Sequence, residues 1–314
     1  MFEQGLPVRF QKPKGWLWGQ FTGARGQPLR FGALRSHKTP VAHIVYVEGL
    51  SEYAEKTFEL ARDFNAMACN FSVFDRHGQG KSPRYIPGTD KQHSDGIAAD
   101  IQDIIKYCRD HIPAGEKIVL LGHSTGALLA LHALEKAPDL FSGAILTAPL
   151  FGFKNAAVRN KEEYYAQAPF PEFLRTRYIP GGSPYTARVN PRSPHKAWDF
   201  SSDPVRSHLH DYWPEMDKDL RTGSPTFGWI QEICRAIIAA CDPAFLQRIT
   251  QPVLVFSAGD DVHVPEEAVE TIVKGLKNAG HHHYQDGKHE LLLEKDAIRK
   301  PLLARVQDFL KRNL

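Results

Sequence analysis

The chain has 314 residues, 42% apolar and 24% charged, the make-up of a globular protein with room for one large domain or a domain carrying an insertion. A formal charge of +3, with no Lys/Arg-rich run, argues against a nucleic-acid partner and gives no strong pull toward anionic lipid. No run reaches the ~20 apolar residues of a membrane-spanning helix. The start, MFEQGLPVRFQKPKGW, is polar and broken by Pro and Gly, without the apolar core of a signal peptide. A soluble, cytoplasmic protein is expected, with peripheral membrane contact left open. Cys69, Cys108, Cys234 and Cys241 form no C-x-x-C pair and suit no common zinc pattern, so buried free thiols are the expectation.

In chain order, GWLWGQF (15–21) and PLRFGAL (28–34) flank the turn TGARGQ and read as a hairpin. VAHIVYV (41–47) is a nearly continuous apolar run, as in a strand buried on both faces. Residues 52–67 place Tyr53, Phe58, Leu60, Ala61 and Phe64 at roughly helical spacing. FSVFD (71–75) reads as a strand. Residues 95–112 form a helix with Ile97, Ile101, Ile104, Ile105 and Cys108 on one face. KIVLLG (117–122), a helix over 125–137 and GAILTAP (143–149) follow. Residues 151–246 break the rhythm, with ten Pro and fifteen aromatics and only short helical stretches. PVLVFSAG (252–259), a helix over 266–280, the strand HHHYQD (281–286) and a helix over 297–314 resume it. The alternation predicts an α/β protein: a mostly parallel eight-stranded sheet with helices on both faces. Its core spans 1–150 and 247–314, interrupted by an inserted helical cap, 151–246.

Gly122-His123-Ser124-Thr125-Gly126 sits where a strand ends and a helix begins. That is the setting in which G-x-S-x-G holds a Ser hydroxyl above a sheet as a nucleophile. Such a Ser needs a base, and the base needs an orienting acid. One known chain order is Ser, acid, His. Asp260 and Asp261 follow the strand 252–259, at the carboxyl edge where an active site of an open sheet lies. Asp261, two residues after Gly259, is preferred by spacing, and Asp260 is the alternative. His289, after the last strand and a Gly-containing loop, takes the place of the base. Two backbone N–H donors are expected for an oxyanion, from Thr125 and from Leu50 in VEGLSEY.

These segments resemble the α/β-hydrolase superfamily, and within it the lysophospholipase/monoacylglycerol lipase group, also described as serine aminopeptidase S33-like. FDRHGQGKS (74–82) resembles that group's D-x-x-G-x-G-x-S turn, GHSTGA its G-H-S-M-G-G elbow, and SAGDDVHVP its acid loop. GKHELLLEKDAIR and PTFGWIQE (225–232) resemble the His loop and a cap segment of lysophospholipase L2-type proteins. Many relatives carry H-G-x where this chain has Glu48-Gly49-Leu50; the L2-like branch also lacks that His. The resemblance implies a serine carboxylester hydrolase acting on a lysophospholipid or monoacylglycerol, with no metal or organic cofactor. It leaves the oligomeric state open.

Other readings have weaker support. An aminopeptidase or amidase would need an acidic cluster in the cap, for which Glu162-Glu163 or Asp217 with Asp219 are the candidates. A catalytically inactive binding protein would have no need of a complete Ser/Asp/His set. His123 reads as turn packing rather than a base, and His77 as a hydrogen-bonding residue of its Gly-rich loop. His281-His282-His283 cannot all face one ion in a strand, since neighbours point to opposite faces. Phe151, Phe153, Tyr164, Tyr165, Phe170 and Phe173 offer apolar surface for an acyl chain.

Overall fold

The computed structural model describes residues 5–155, 157–187, 196 and 199–314. Strands β1 (Leu17–Thr22), β2 (Pro28–Leu34), β3 (His43–Val47), β4 (Asn70–Phe74), β5 (Ile118–His123), β6 (Gly143–Thr147), β7 (Val253–Ala258) and β8 (Ala279–Tyr284) form one sheet, in the order β1-β2-β4-β3-β5-β6-β7-β8. The pairs β1–β2 and β2–β4 are antiparallel and the others parallel. Every residue of β3 to β7 is buried, in keeping with their mostly apolar composition; Asn70 and Ser72 of β4 are buried with the rest.

Helices cover both faces. α1 (Phe58–Ala66) and α10 (Asp296–Asn313) pack Phe64, Leu302 and Val306 with Ile44, Tyr46 and Phe71. On the other face, α2 (Ile97–His111) and α3 (Thr125–Lys136) pack Ile104, Leu128 and Leu131 with Val45, Leu120 and Leu146. α2 buries Ile101, Ile104, Ile105 and Cys108, an i, i+3, i+4, i+7 stripe. α3 is buried from Thr125 through Leu134, polar positions included, because it lies between the sheet and the chain that leaves it after β6.

Between β6 and β7 the described residues contribute no strand to the sheet. They form α4 (Glu162–Gln167), α5 (Glu172–Arg175), α6 (Leu209–Met216), α7 (Phe227–Ala240) and α8 (Pro243–Arg248). α7 starts where Thr226 accepts the N–H of Trp229, and α8 where Asp242 accepts that of Ala244 ahead of a first-turn Pro. α7 packs on α3 and α4. Arg206 ties this segment to the core. It bonds both oxygens of Glu59 at 2.8 Å, Asp203 at 2.9 Å and Asp296 at 2.9 Å.

The structure moves some boundaries. The helix expected over 266–280 is α9 (Glu266–Gly275), because Ala279 and Gly280 pair with Val253 and Leu254 and belong to β8. The helix expected over 52–67 starts as a 3-10 turn at Ala54 and becomes α-helical at Phe58. Cys241 is exposed, unlike the other three cysteines, because it ends α7 at the surface. In β8, His281 and His283 bond the hydroxyl of Ser257 at 2.8 and 2.9 Å, while His282 stacks on Phe256 from the opposite face. No cluster among the described residues could hold a metal, and no helix among them is long and apolar enough to cross a membrane.

Replacing Arg206 with Ala leaves the nearly buried Glu59 carboxylate without its main partner. The expected cost is about 3 kcal/mol, read as a lower urea midpoint with an unchanged slope.

Candidate active site

Ser124 follows β5 and stands at the N-cap of α3 with φ 52° and ψ −118°, a backbone conformation that non-glycine residues rarely adopt. Its N–H bonds the carbonyl of Thr147 at 3.0 Å, and its carbonyl accepts from Ala127 at 3.1 Å and Leu150 at 3.1 Å. The flanking glycines have no alternative. A Cβ on Gly126 would overlap the carbonyl oxygen of Val47, and one on Gly122 would lie 2.5 Å from the Cα of Ala127. The turn therefore lets α3 press against β3 and lifts Ser124 to the carboxyl edge of the sheet.

Asp261 and His289 arrive there from the loops after β7 and β8. The His289 Nδ1–H donates to Asp261 Oδ2 at 2.7 Å, which leaves Nε2 as the acceptor in the neutral ring. Asp261 Oδ1 accepts the N–H groups of His263 at 2.7 Å and Val264 at 3.0 Å. Burial alone would raise the Asp261 pKa, but His289 and the His263 N–H outweigh it and hold the carboxyl at about 2. Asp260 is exposed, and of the two acids it is Asp261 that bonds His289. The rings of His123 and His263 each lie 4.9 Å from that of His289. His123 is buried with Nδ1 facing the carbonyl of Thr147, and burial lowers its pKa to about 4, so it stands neutral beside His289.

Thr125 opens α3, so its N–H is one of the helix's unpaired first-turn donors. Leu50 lies in the loop after β3. The Gly49 carbonyl accepts from Gln79 Nε2 at 2.9 Å and Arg76 Nη2 at 3.1 Å. That carbonyl and the Leu50 N–H share one planar trans peptide, so the N–H points away from Arg76 and Gln79. Arg76 Nε also holds the Glu48 carbonyl at 3.1 Å. The Glu48 side chain takes the amide of Gln79 at 2.9 Å; burial, with Asp75 nearby, keeps its pKa well above the carboxylate range. The D-x-x-G-x-G-x-S turn thus serves as a brace for this loop. Asp75 in it accepts the N–H groups of Ala54 at 2.9 Å and Lys81 at 2.7 Å. His77 corrects an expectation: its Nδ1 has no hydrogen-bond partner among the described residues, and the ring packs edge-on against Tyr85 at 4.4 Å.

Ser124, Thr125, Leu50 and His289 line one cavity of about 450 Å³. Its apolar wall comes from Leu50, Leu150, Phe153, Val158, Ile179 and Trp229. Of the six aromatics singled out from the sequence, only Phe153 lines it. Phe151 is buried in the core, whereas Tyr164 and Phe173 are exposed. Glu162-Glu163 and Asp217 with Asp219 lie off the cavity; Asp217 pairs with Lys81. Three acids do line it: Glu52 and Glu290, which both bond Lys56, and Asp211, which is fully buried. Sequence reasoning missed Glu52, Arg76 and Gln79. The only trace of the last two was the turn motif that carries them.

A family model described as serine aminopeptidase, S33, matches residues 38–296. The probable lysophospholipase L2 of Haemophilus influenzae is 26% identical, over 97% of this chain and 94% of its own length. Lysophospholipase L2 of Escherichia coli strain K12 is also 26% identical, over 94% and 87%. Among solved structures, a soluble variant of monoglyceride lipase from Saccharomyces cerevisiae aligns with a TM-score of 0.72 at 16% identity, covering 100% of this chain and 97% of that one. A carboxyl esterase from Bacillus coagulans gives 0.73 at 16%, covering 95% and 99%. At these identities the solved structures establish the shared fold.

Two measurements probe the site's construction. Gly126→Ala forces backbone apart at the elbow and is expected to cost at least about 2 kcal/mol of stability, read by urea unfolding. His123 binds a proton at about 4 when folded, against 6.5 for a free imidazole. The unfolded chain therefore holds more protons between those values, and stability falls as pH drops from 6.5 to 4. His123→Gln is expected to flatten that decline, by roughly 3 kcal/mol at most, in unfolding midpoints at pH 7 and 4.5.

Proposed function

The chain belongs to the serine aminopeptidase, S33, family and is a lysophospholipase/monoglyceride lipase-like hydrolase; from that premise we propose that it is a serine carboxylester hydrolase working through Ser124, His289 and Asp261. The observation that carries this reading is the union, in one cavity, of a strained Ser elbow and a His whose Nδ1–H is held by a buried, ionised Asp.

In this reading Ser124 Oγ attacks the ester carbonyl carbon while His289 Nε2 takes the hydroxyl proton. The carbonyl oxygen becomes an oxyanion, met by the N–H groups of Leu50 and Thr125. The tetrahedral intermediate collapses, the ester C–O bond breaks, and the imidazolium gives its proton to the departing alcohol. Water then attacks the acyl-enzyme as His289 takes its proton, and the fatty acid leaves as Ser124 is reprotonated. Asp261 fixes the tautomer and stabilises the imidazolium. His123, neutral and close by, adds no competing positive charge.

The substrate class is a lysophospholipid or monoacylglycerol. The apolar wall of the cavity suits an acyl chain, and the curated relatives of matching length are named lysophospholipases. The residues between β6 and β7 form a cap over the catalytic edge, since Phe153, Val158, Ile179 and Trp229 on that wall all come from them. An aminopeptidase would need an accessible carboxylate for the substrate ammonium; of the three acids on the cavity, Glu52 and Glu290 already bond Lys56 and Asp211 is fully buried.

The test is hydrolysis of a chain-length series of p-nitrophenyl esters, with lysophosphatidylcholine and monoacylglycerol, by wild type and Ser124→Ala. Activity should rise with acyl length and vanish in the mutant. Full activity in Ser124→Ala sinks the triad, and activity on short esters alone sinks the lipid substrate. Asp261→Asn should lower kcat about 10⁴-fold, while Asp260→Asn stays near wild type. The reverse ranking would reassign the acid.

A further inference from the structure

A buried ionic bridge runs beneath the cavity from the loop after β3 to the loop after β8. Glu52 Oε2 accepts the Gly49 N–H at 2.6 Å and the Tyr46 hydroxyl at 2.8 Å. Glu52 Oε1 takes Lys56 Nζ at 2.9 Å, and the same ammonium reaches Glu290 Oε1 at 2.7 Å. Glu290 is the residue after His289. The side chains of Glu52, Lys56 and Glu290 are 6%, 3% and 5% exposed. Burial would raise the Glu52 pKa, but Lys56 outweighs it and keeps the carboxyl below its ordinary value, so the bridge is charged.

Three charges out of water are a poor way to gain stability; well-packed apolar residues of similar volume often do as well or better. Their position supplies another reason. Peptide 49–50 carries the Leu50 N–H, and it is held from two sides. Arg76 and Gln79 fix its carbonyl, and Glu52 fixes the N–H of the residue before it. Lys56 then joins that clamp to the residue next to the base.

Resting on the Ser124 reading above, we propose that Glu52 is a positioning residue for ester hydrolysis. It aims the Leu50 N–H at the oxyanion, and through Lys56 it holds that donor at a set distance from His289. The carboxylate serves three donors, Gly49 N–H, Tyr46 O–H and Lys56 N–H, with two oxygens. An amide offers one oxygen, so Glu52→Gln must turn an NH₂ toward one of those donors and break part of the clamp. The donor is then misaimed where charge develops, while the ground-state ester is bound as before.

The experiment compares wild type, Glu52→Gln, Lys56→Arg and Ser124→Ala on a p-nitrophenyl ester of the preferred length, with thermal melts of each. Glu52→Gln should lower kcat roughly 100-fold with KM within about twofold. It should slow labelling of Ser124 by a fluorophosphonate by a similar factor, because that reaction also builds charge on an oxygen in the hole. Lys56→Arg, which keeps the cation, should retain most of kcat. The proposal is overturned if folded Glu52→Gln keeps kcat within about threefold of wild type. It is equally overturned if the loss lies in KM alone, or if neither Glu52→Gln nor Lys56→Arg folds, which would make the bridge a folding element. Activity surviving in Ser124→Ala would be a different failure, that of the triad itself.

Discussion

The close approach of α3 to β3 is the constraint on which the site depends. The backbone at Gly126 passes so near the Val47 carbonyl that no side chain fits, and Gly122 faces the α3 backbone in the same way. With both glycines in place, the chain turns from strand to helix in one residue, and Ser124 absorbs the strain at φ 52°. Unfavourable φ values cost of order 1–3 kcal/mol each. Here the surrounding structure over-determines the turn, through the bonds of Ser124 to Thr147, Ala127 and Leu150. The strain lifts one hydroxyl clear of the sheet and places an unpaired helix N-terminal N–H beside it.

Around that hydroxyl, similar side chains are driven into different states by their neighbours. Asp261 is ionised because His289 and the His263 N–H outweigh its burial. Glu52 is ionised because Lys56 does the same. Glu48, four residues before Glu52 and as deeply buried, meets Asp75 and has its pKa pushed up instead. His123 touches the ring of His289, yet burial keeps it neutral. The carboxylate that bonds His289, the one that bonds the Gly49 N–H and the one whose pKa is pushed up are told apart only by what packs against them.

Much of the sheet was legible because β3 to β7 are buried on both faces, and complete burial leaves short, mostly apolar runs. The meeting of Ser124, Asp261 and His289 at one edge was legible for a related reason. Each follows a strand, and in an open parallel sheet all the carboxyl ends lie along one edge. The boundary between α9 and β8 was not legible, because Ala279 favours a helix and only its pairing with β7, together with that of Gly280, overrides that preference. The choice between Asp260 and Asp261 rested on spacing until the direction of each side chain was known. The aromatic wall was misread for the same reason. Tyr164 and Phe173 are as apolar in sequence as Phe153, but they sit on the far side of their short helices and meet solvent.

The sequence by itself determined the alternation of strand and helix, the glycines at the elbow and the chain order of Ser124, the Asp pair and His289. These are written in periodicity and in residues that nothing else can replace. Only the tertiary structure decided which acid holds His289, which side chains line the cavity, and that Glu52, Lys56 and Glu290 meet. Lys56 and Glu290 are 234 positions apart. No local pattern records such a meeting. It exists because β3 and β8 end on the same edge, and because buried charges must find each other once water is gone.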